Sequence, residues 1–217
     1  MSRICRPNRR KAQAEADLAN RFSPRRLKKI PMSDENKAPI VDLLICISTS
    51  QEIANVLPAI ECGAKKVITL VSPFAQREQW PDRMEKALKL AVPTIEVQRH
   101  LLSVEQETDP AGLARLTEEL LLQALRQDRA PGHPAMRVGF AWGGGQKPQA
   151  TGLWLAFQAF VERFPEQGHL AIYSESNSGT MLWWNNPHQP PSRAGYGNLS
   201  LHTRLAAYGI EDTHKAG

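Results

Sequence analysis

The sequence predicts an α/β fold with a Rossmann-like, mostly parallel sheet, flanking helices and a final antiparallel β-hairpin. Short apolar runs alternate with helical patterns of 10–18 residues, which is typical of βαβ units. Gly, Pro and Asn separate these segments at the turns. After residue 164 the pattern changes to two strand-like runs joined by a tight-turn sequence, which predicts the hairpin.

Four strands are expected in the first part of the chain. Residues 41–48 and 66–72 are continuous apolar runs rich in β-branched side chains, as in strands buried on both faces. In residues 94–102 apolar and polar side chains alternate more, and this pattern predicts a third strand. Residues 136–142 are again apolar and predict the fourth.

Helices are expected at residues 52–62, 76–91, 110 onward and 149–164. Gly63 ends the first, Pro93 closes the second, and Asp109 with Pro110 forms the N-cap and first turn of the third. The hairpin is predicted at residues 169–175 and 180–184, joined by the turn at 177–179. A polar, proline-rich connection then leads to a short helix at 199–208, stopped by Gly209.

The charge of the chain is unevenly distributed. Residues 1–31 hold ten lysines and arginines and two acidic residues, whereas the remainder holds 17 lysines and arginines and 20 acidic residues. We therefore expect a basic, disordered arm at 1–37, a folded domain at 38–210 and a polar tail at 211–217. The arm could bind nucleic acid. The favoured interpretation is that residues 1–31 are an upstream read-through, with Met32 as the biological start.

Several classes of site receive no support from the sequence. No segment approaches the ~20 apolar residues of a membrane span, and the N-terminus lacks the apolar core of a secretory signal. The three cysteines form no C-x-x-C pair and the six histidines are scattered. We expect a cytoplasmic protein with no metal and no cofactor.

A glycine-rich run, Gly143-Gly144-Gly145-Gln146-Lys147, joins the fourth strand to the following helix. Glycines let a ligand approach the backbone closely, and amides at a helix start attract anions. Lys147 adds a cation, so the run predicts a phosphate site. A plain glycine-rich turn remains the alternative. The run is neither a Walker A loop nor a dinucleotide fingerprint, since it lacks the spacing and hydroxyl of those motifs.

A second polar loop follows the first strand. Ser48, Thr49, Ser50 and Gln51 carry hydroxyls and an amide that could hydrogen-bond a ribose, a base edge or a phosphate, although Ser50 could instead cap the next helix. Ligands of open parallel sheets bind outside the carboxyl ends of the strands, where both loops are expected.

Over residues 40–210 the chain resembles the CRISPR-associated Rossmann-fold (CARF) sensor domain, in the branch that precedes restriction-like nucleases activated by cyclic oligoadenylate. The resemblance rests on the strand ending in Ser48-Thr49-Ser50-Gln51 and on the hairpin leading to Leu199-Ser200-Leu201-His202. It also rests on Gly144-Gly145-Gln146-Lys147, which is similar to the Gly-Gly-Thr-Lys turn of that branch. Gln146 stands where the branch has threonine.

The resemblance implies a homodimer that binds a cyclic oligoadenylate, preferably cyclic tetra-adenylate, in type III CRISPR antiviral signalling. The first loop would contact ribose or phosphate, and the glycine loop with Lys147 would hold the phosphates. No nuclease domain is expected in residues 199–217, so the effector would lie elsewhere in a longer protein or in a separate one.

Two alternatives remain open. A metal-independent ring nuclease could use Lys147 to stabilise developing charge and Ser50 or Thr49 to fix the ribose. A DNA-binding regulator could use the basic arm. Among the aromatic residues, Trp142 could wall the pocket. At most one of Trp183 and Trp184 could stack a base, because adjacent strand residues face opposite sides.

Overall fold

A computed structural model describes residues 39–51, 53–127, 136–165, 167–173, 180–184, 192–195, 200, 203 and 206–209. The predicted basic arm, the polar tail and the turn at 177–179 lie outside these residues.

The strands in the described residues form one sheet of seven in the order β3-β2-β1-β4-β5-β6-β7. They are β1 (Leu43–Ile47), β2 (Lys66–Val71), β3 (Glu96–Leu101), β4 (Val138–Ala141), β5 (Gly168–Tyr173), β6 (Thr180–Trp184) and β7 (Ser192–Gly195). The strands from β3 to β5 are parallel, and β6 and β7 are antiparallel. The predicted mostly parallel sheet with an antiparallel ending is therefore confirmed.

The helices cover both faces of this sheet. They are α1 (Ile53–Glu61), α2 (Pro73–Arg77), α3 (Trp80–Ala91), α4 (Val104–Thr108), α5 (Pro110–Gln127) and α6 (Lys147–Arg163). Val56 of α1 and Met84 of α3 belong to one buried cluster, and Leu121 of α5 and Phe157 of α6 belong to the other. Side chains of β1 alternate between the two clusters, which explains its continuous apolar sequence.

The strand order reverses beside β1. From β1 the chain runs outward through β2 to β3, and β4 then pairs with the other side of β1 and continues outward through β5. The connections after β1 and β4 therefore lead to helices on opposite faces. Such a reversal opens a crevice at the carboxyl ends of the two central strands.

The predicted helix at 76–91 is wrong in its first part, because two helices occupy the region. Ser72 caps α2 by accepting a hydrogen bond from Ala75 N at 3.0 Å. The chain then turns at Gln79, which has a φ of 58°. Pro81 lies in the first turn of α3, a position that proline favours.

Two further elements were not predicted. Helix α4 begins at a reciprocal cap between Ser103 and Gln106, with a hydrogen bond from Ser103 N to Gln106 Oε1 of 2.8 Å. Strand β7 lies in the segment predicted as a connection, where it pairs with β6. Pairing with a neighbouring edge, which a local sequence pattern does not reveal, accounts for β7.

The last described residues pack onto the sheet. Thr203, Ala206 and Ala207 are helical, and the two alanines are buried in the cluster that contains α1 and α3. Gly209 has a φ of 69° and its N–H donates to Ala206 O, as predicted for a helix stop.

Candidate functional site

The first polar loop leaves the sheet at the end of β1. Ser48 N donates to Leu70 O of β2 at 2.9 Å, and its side chain is buried. Thr49 is half-buried, with its Oγ1 accepting a hydrogen bond from Gln51 N at 3.4 Å. Ser50 and Gln51 are exposed. Of the four residues predicted to bind a ligand, Thr49, Ser50 and Gln51 are thus accessible, whereas Ser48 is covered.

The glycine loop leaves the sheet at the end of β4. Gly143 and Gly144 are partly exposed, and Gly145, Gln146 and Lys147 are fully exposed. Gly145 has a φ of 84°, a conformation that favours glycine. Gln146 is the N-cap of α6, which begins at Lys147 and so two residues before the predicted start. Lys147 therefore belongs to the first turn of a helix whose N-terminus lies at the crevice.

The two loops are in direct contact. A Cβ placed on Gly144 would lie 2.6 Å from Thr49 Cγ2, and one on Gly145 would lie 2.7 Å from Ile47 Cγ2. Side chains larger than hydrogen at these positions would separate the loops. The glycines therefore allow the loop after β4 to pack closely against β1 and the loop that follows it.

The glycine loop is electropositive. The N–H groups of Gly144, Gly145 and Lys147 donate to no other described residue. They lie at the positive end of the α6 dipole, next to the ammonium of Lys147. Residues 142–149 contain no acidic residue, whereas the sequence between β1 and α1 ends in Glu52. This arrangement suits an anion with several oxygen acceptors, such as a phosphate.

Two buried amides beneath the loops were missed in the sequence. Asn55 of α1 donates from Nδ2 to Ile47 O at 2.7 Å, and Gln149 of α6 accepts at Oε1 from Gln146 N at 2.8 Å. Both are almost fully buried. The signals available were a lone polar residue within the apolar sequence of α1 and the spacing Gln-x-x-Gln at the start of α6.

Three buried polar atoms at this place have no partner among the described residues: Ser48 Oγ, Asn55 Oδ1 and Gln149 Nε2. Buried polar groups in native proteins nearly always find a hydrogen-bond partner. Three of the seven such atoms among the described residues thus lie beneath the two loops.

The tryptophans serve packing. Trp142 donates from Nε1 to Ala150 O at 2.8 Å, and its ring centroid lies 5.8 Å from that of Trp154. Trp184 lies on the same side, 5.7 Å from Trp154, whereas Trp183 is buried in the cluster on the opposite face. The predicted opposite orientation of Trp183 and Trp184 is therefore confirmed.

Within the described ranges, no group of three His, Cys, Asp or Glu side chains is placed to hold a metal ion. Nor is any helix in this part of the chain long and apolar enough to cross a membrane. Cys46 and Cys62 are both buried free thiols, and burial raises the pKa of each to about 12. They are therefore unreactive thiols of the core.

No protein-family model matches the chain, and no curated protein matches it in sequence. Solved structures do match. Can2 from Sulfobacillus thermosulfidooxidans in complex with cyclic tetra-adenylate superposes with a TM-score of 0.58 at 23% identity, over 78% of this chain and 40% of that chain. A type III CRISPR defence DNA nuclease activated by cyclic oligoadenylate superposes with a TM-score of 0.55 at 18% identity, over 89% of this chain and 27% of that chain.

Csm6 from Enterococcus italicus, bound to cyclic hexa-2′-fluoro-hexa-dAMP, gives a TM-score of 0.50 at 11% identity, over 77% of this chain and 37% of that chain. The chain thus spans well under half the length of these proteins. All three are CARF-domain proteins. At these identities the likeness concerns the fold, and it agrees with the resemblance drawn from the sequence. The chain therefore has the fold of the CRISPR-associated Rossmann-fold domain.

Proposed function

We propose that this protein is a sensor of cyclic oligoadenylate, with cyclic tetra-adenylate as the preferred ring, in type III CRISPR signalling. The observation that carries the proposal is the contact of Thr49 with Gly144. It joins a hydroxyl-bearing loop and a glycine loop suited to phosphate at the switch point of a fold shared with proteins that bind such rings.

Each loop has a distinct chemical task in this proposal. The free amides of Gly144, Gly145 and Lys147, together with the Lys147 ammonium, bind phosphate oxygens. Thr49, Ser50 and Gln51 offer hydroxyl and amide groups to ribose or adenine. Ser48 is buried, so it supports the loop in the present arrangement.

The symmetry of the ligand supports a homodimer. A cyclic tetra-adenylate repeats its phosphates around a ring, and a two-fold axis would present two copies of each loop to it. Because the chain spans 40% or less of its structural neighbours, an effector would belong to another part of a longer protein or to a separate one. Ligand binding would control this effector by stabilising one of two arrangements of the subunits in the dimer.

Isothermal titration with cyclic tri-, tetra- and hexa-adenylate tests the proposal, with linear tetra-adenylate as the control. We expect saturable binding of one cyclic ring per two chains and much weaker binding of the linear control. The absence of heat with all three rings would contradict it.

Chromatography of the recovered ligand addresses the ring-nuclease alternative. The exposed Lys147 and the hydroxyls of Thr49 and Ser50 flank the same crevice. Cleavage would require attack of a ribose 2′-oxygen on the adjacent phosphorus, with departure of the 5′-oxygen and transfer of the 2′ proton to it. A linear product formed without metal would establish that activity, and an intact ring would establish a passive sensor.

The DNA-binding alternative depends on the basic arm, which lies outside the described residues. It stays a prediction from the charge pattern. Steeply salt-dependent DNA binding that is lost on deletion of residues 1–31 would support it.

A further inference from the structure

Gln149 lies directly beneath the glycine loop. It is the third residue of α6 and only 2% exposed. Its Oε1 accepts a hydrogen bond from Gln146 N at 2.8 Å, and a Cβ on Gly145 would lie 2.9 Å from the same oxygen. Helical side chains lean toward the N-terminus of their helix, which brings this amide under the loop.

The second polar atom of this side chain is its amide nitrogen, Nε2. Gln149 Nε2 is buried and has no hydrogen-bond partner among the described residues. A buried N–H without an acceptor is costly, so native structures rarely retain one without a function. An anion held in the glycine loop would bring acceptor oxygens to this place.

The hydrogen bond of Gln149 also decides which amides remain for a ligand. Because Gln149 Oε1 occupies the N–H of Gln146, and Pro148 has none, the backbone donors of the loop without an acceptor among the described residues are those of Gly143, Gly144, Gly145 and Lys147. Gln149 thus removes the N–H of Gln146 from the available donors, and its own Nε2 is a neutral donor at the same place.

We propose that Gln149 is a further residue of the ligand site: its Oε1 fixes the glycine loop, and its Nε2 donates a hydrogen bond to a phosphate oxygen of the bound ligand. The second half of this assignment rests on the proposed function, whereas the first concerns the ligand-free protein. The two halves can therefore be tested separately.

Three variants separate these roles. Gln149→Met has a similar length and neither polar group. Gln149→Glu keeps an acceptor for Gln146 N but, when ionised, has no donor. Gln123→Met changes an exposed glutamine of α5 and is the matched control. Each variant is measured by amide hydrogen exchange without ligand and by titration with cyclic tetra-adenylate.

We expect Gln149→Met to speed exchange of the Gln146 amide at least ~10-fold and to weaken binding by ~10- to 100-fold, as for loss of a hydrogen bond to a charged group. Gln149→Glu should keep the slow exchange. Its affinity should be low near neutral pH and recover in acid, because the protonated carboxyl is neutral and can donate. The wild type and Gln123→Met should not show this pH dependence.

Exchange at Gln146 that is unchanged in Gln149→Met would overturn the role in fixing the loop. An unchanged affinity of Gln149→Met, or a Gln149→Glu affinity that does not recover in acid, would overturn the donor role. Failure of the wild type to bind any ring would refute the proposed function and with it the donor role. The exchange rates would still decide whether Gln149 fixes the loop.

Discussion

Gly144 lies against the side chain of Thr49, with no room between them for a further carbon. A Cβ on Gly144 would come within 2.6 Å of Thr49 Cγ2 and 2.9 Å of Thr49 Cβ. The two residues belong to loops that are far apart in the sequence and end neighbouring strands. Their contact brings the two loops of the candidate site together.

Gly144→Ala should therefore open the crevice. The backbone carbonyl oxygen of Ile47 would lie 3.1 Å from the new Cβ, so displacement toward that side is also blocked. We expect a loss of ~1–3 kcal/mol in the free energy of unfolding, typical of overpacking, and a clear loss of ring binding. Urea unfolding and calorimetry measure the two effects.

Thr49→Ser provides the control for this steric argument. It removes Cγ2 and keeps the hydroxyl, so the single variant should bind nearly as well as the wild type. Combined with Gly144→Ala it should restore part of the lost stability. If the double variant is no more stable than Gly144→Ala, contact with Thr49 is not the cause.

The sequence was sufficient to predict the parts of the fold that local patterns determine. The apolar run of β1 predicted a strand buried on both faces, and the glycines after β4 predicted either a close approach or a plain turn. The parallel direction of these strands places both loops at the carboxyl edge of the sheet. The order of strands around β1 was not predicted, because the handedness of parallel connections does not determine which strands are neighbours.

The features that the sequence did not reveal depend on tertiary partners. Gln149 and Asn55 look like ordinary helical residues until the backbone atoms they bond, Gln146 N and Ile47 O, are placed beside them. Ser48 is likewise buried at the end of β1, where its N–H donates to Leu70 O of β2. Strand β7 exists through its pairing with β6, in a segment whose composition is typical of a connection.

Lys147→Ala tests the cation of the glycine loop. We expect ring binding to weaken by ~1.5–3 kcal/mol, the range for a hydrogen bond to a charged group. The measurement is calorimetric titration with cyclic tetra-adenylate at two salt concentrations, because part of this contribution is screened by ions. Lys147→Arg should retain most of the affinity.

Lys65→Ala is the matched control for this substitution. Lys65 is also exposed, but it precedes β2, at the opposite ends of the strands, where its Nζ lies 3.1 Å from Asp42 Oδ1. Loss of that surface ion pair should leave ring binding unchanged. Equal losses in the two lysine variants would mean that only the net charge of the protein matters.

Asn55→Leu tests the support of the first loop. It replaces a buried amide by an apolar side chain of similar shape and leaves Ile47 O without its 2.7 Å hydrogen bond. Because a buried carbonyl then lacks a donor, we expect a loss of ~1–3 kcal/mol in the free energy of unfolding. Ring binding by the folded variant should also weaken, since Thr49 and Ser50 closely follow Ile47. Stability equal to that of the wild type would show that this hydrogen bond contributes no more than the burial of the unpartnered Asn55 Oδ1 costs.

His169 should make stability depend on pH. Burial, and to a lesser degree the nearby positive charge of Arg137, lowers its pKa from an ordinary value of 6.5 to about 4. Between these values the unfolded chain binds a proton that the folded protein excludes, so stability falls as the pH is lowered from about 6.5 to about 4. Below the folded pKa the contribution of this residue levels off. Since one pKa unit corresponds to about 1.4 kcal/mol, we expect a total change on the order of 1–3 kcal/mol.

Urea unfolding across this pH range, compared between the wild type and His169→Gln, measures the contribution. Glutamine keeps hydrogen-bonding groups at the position but cannot titrate. The difference in unfolding free energy between the two proteins should therefore shrink or change sign as the pH is lowered, by the amount that His169 contributes. A constant difference from neutral pH to acid would show that the folded protein tolerates the imidazolium and that the site is more open to water than its packing indicates.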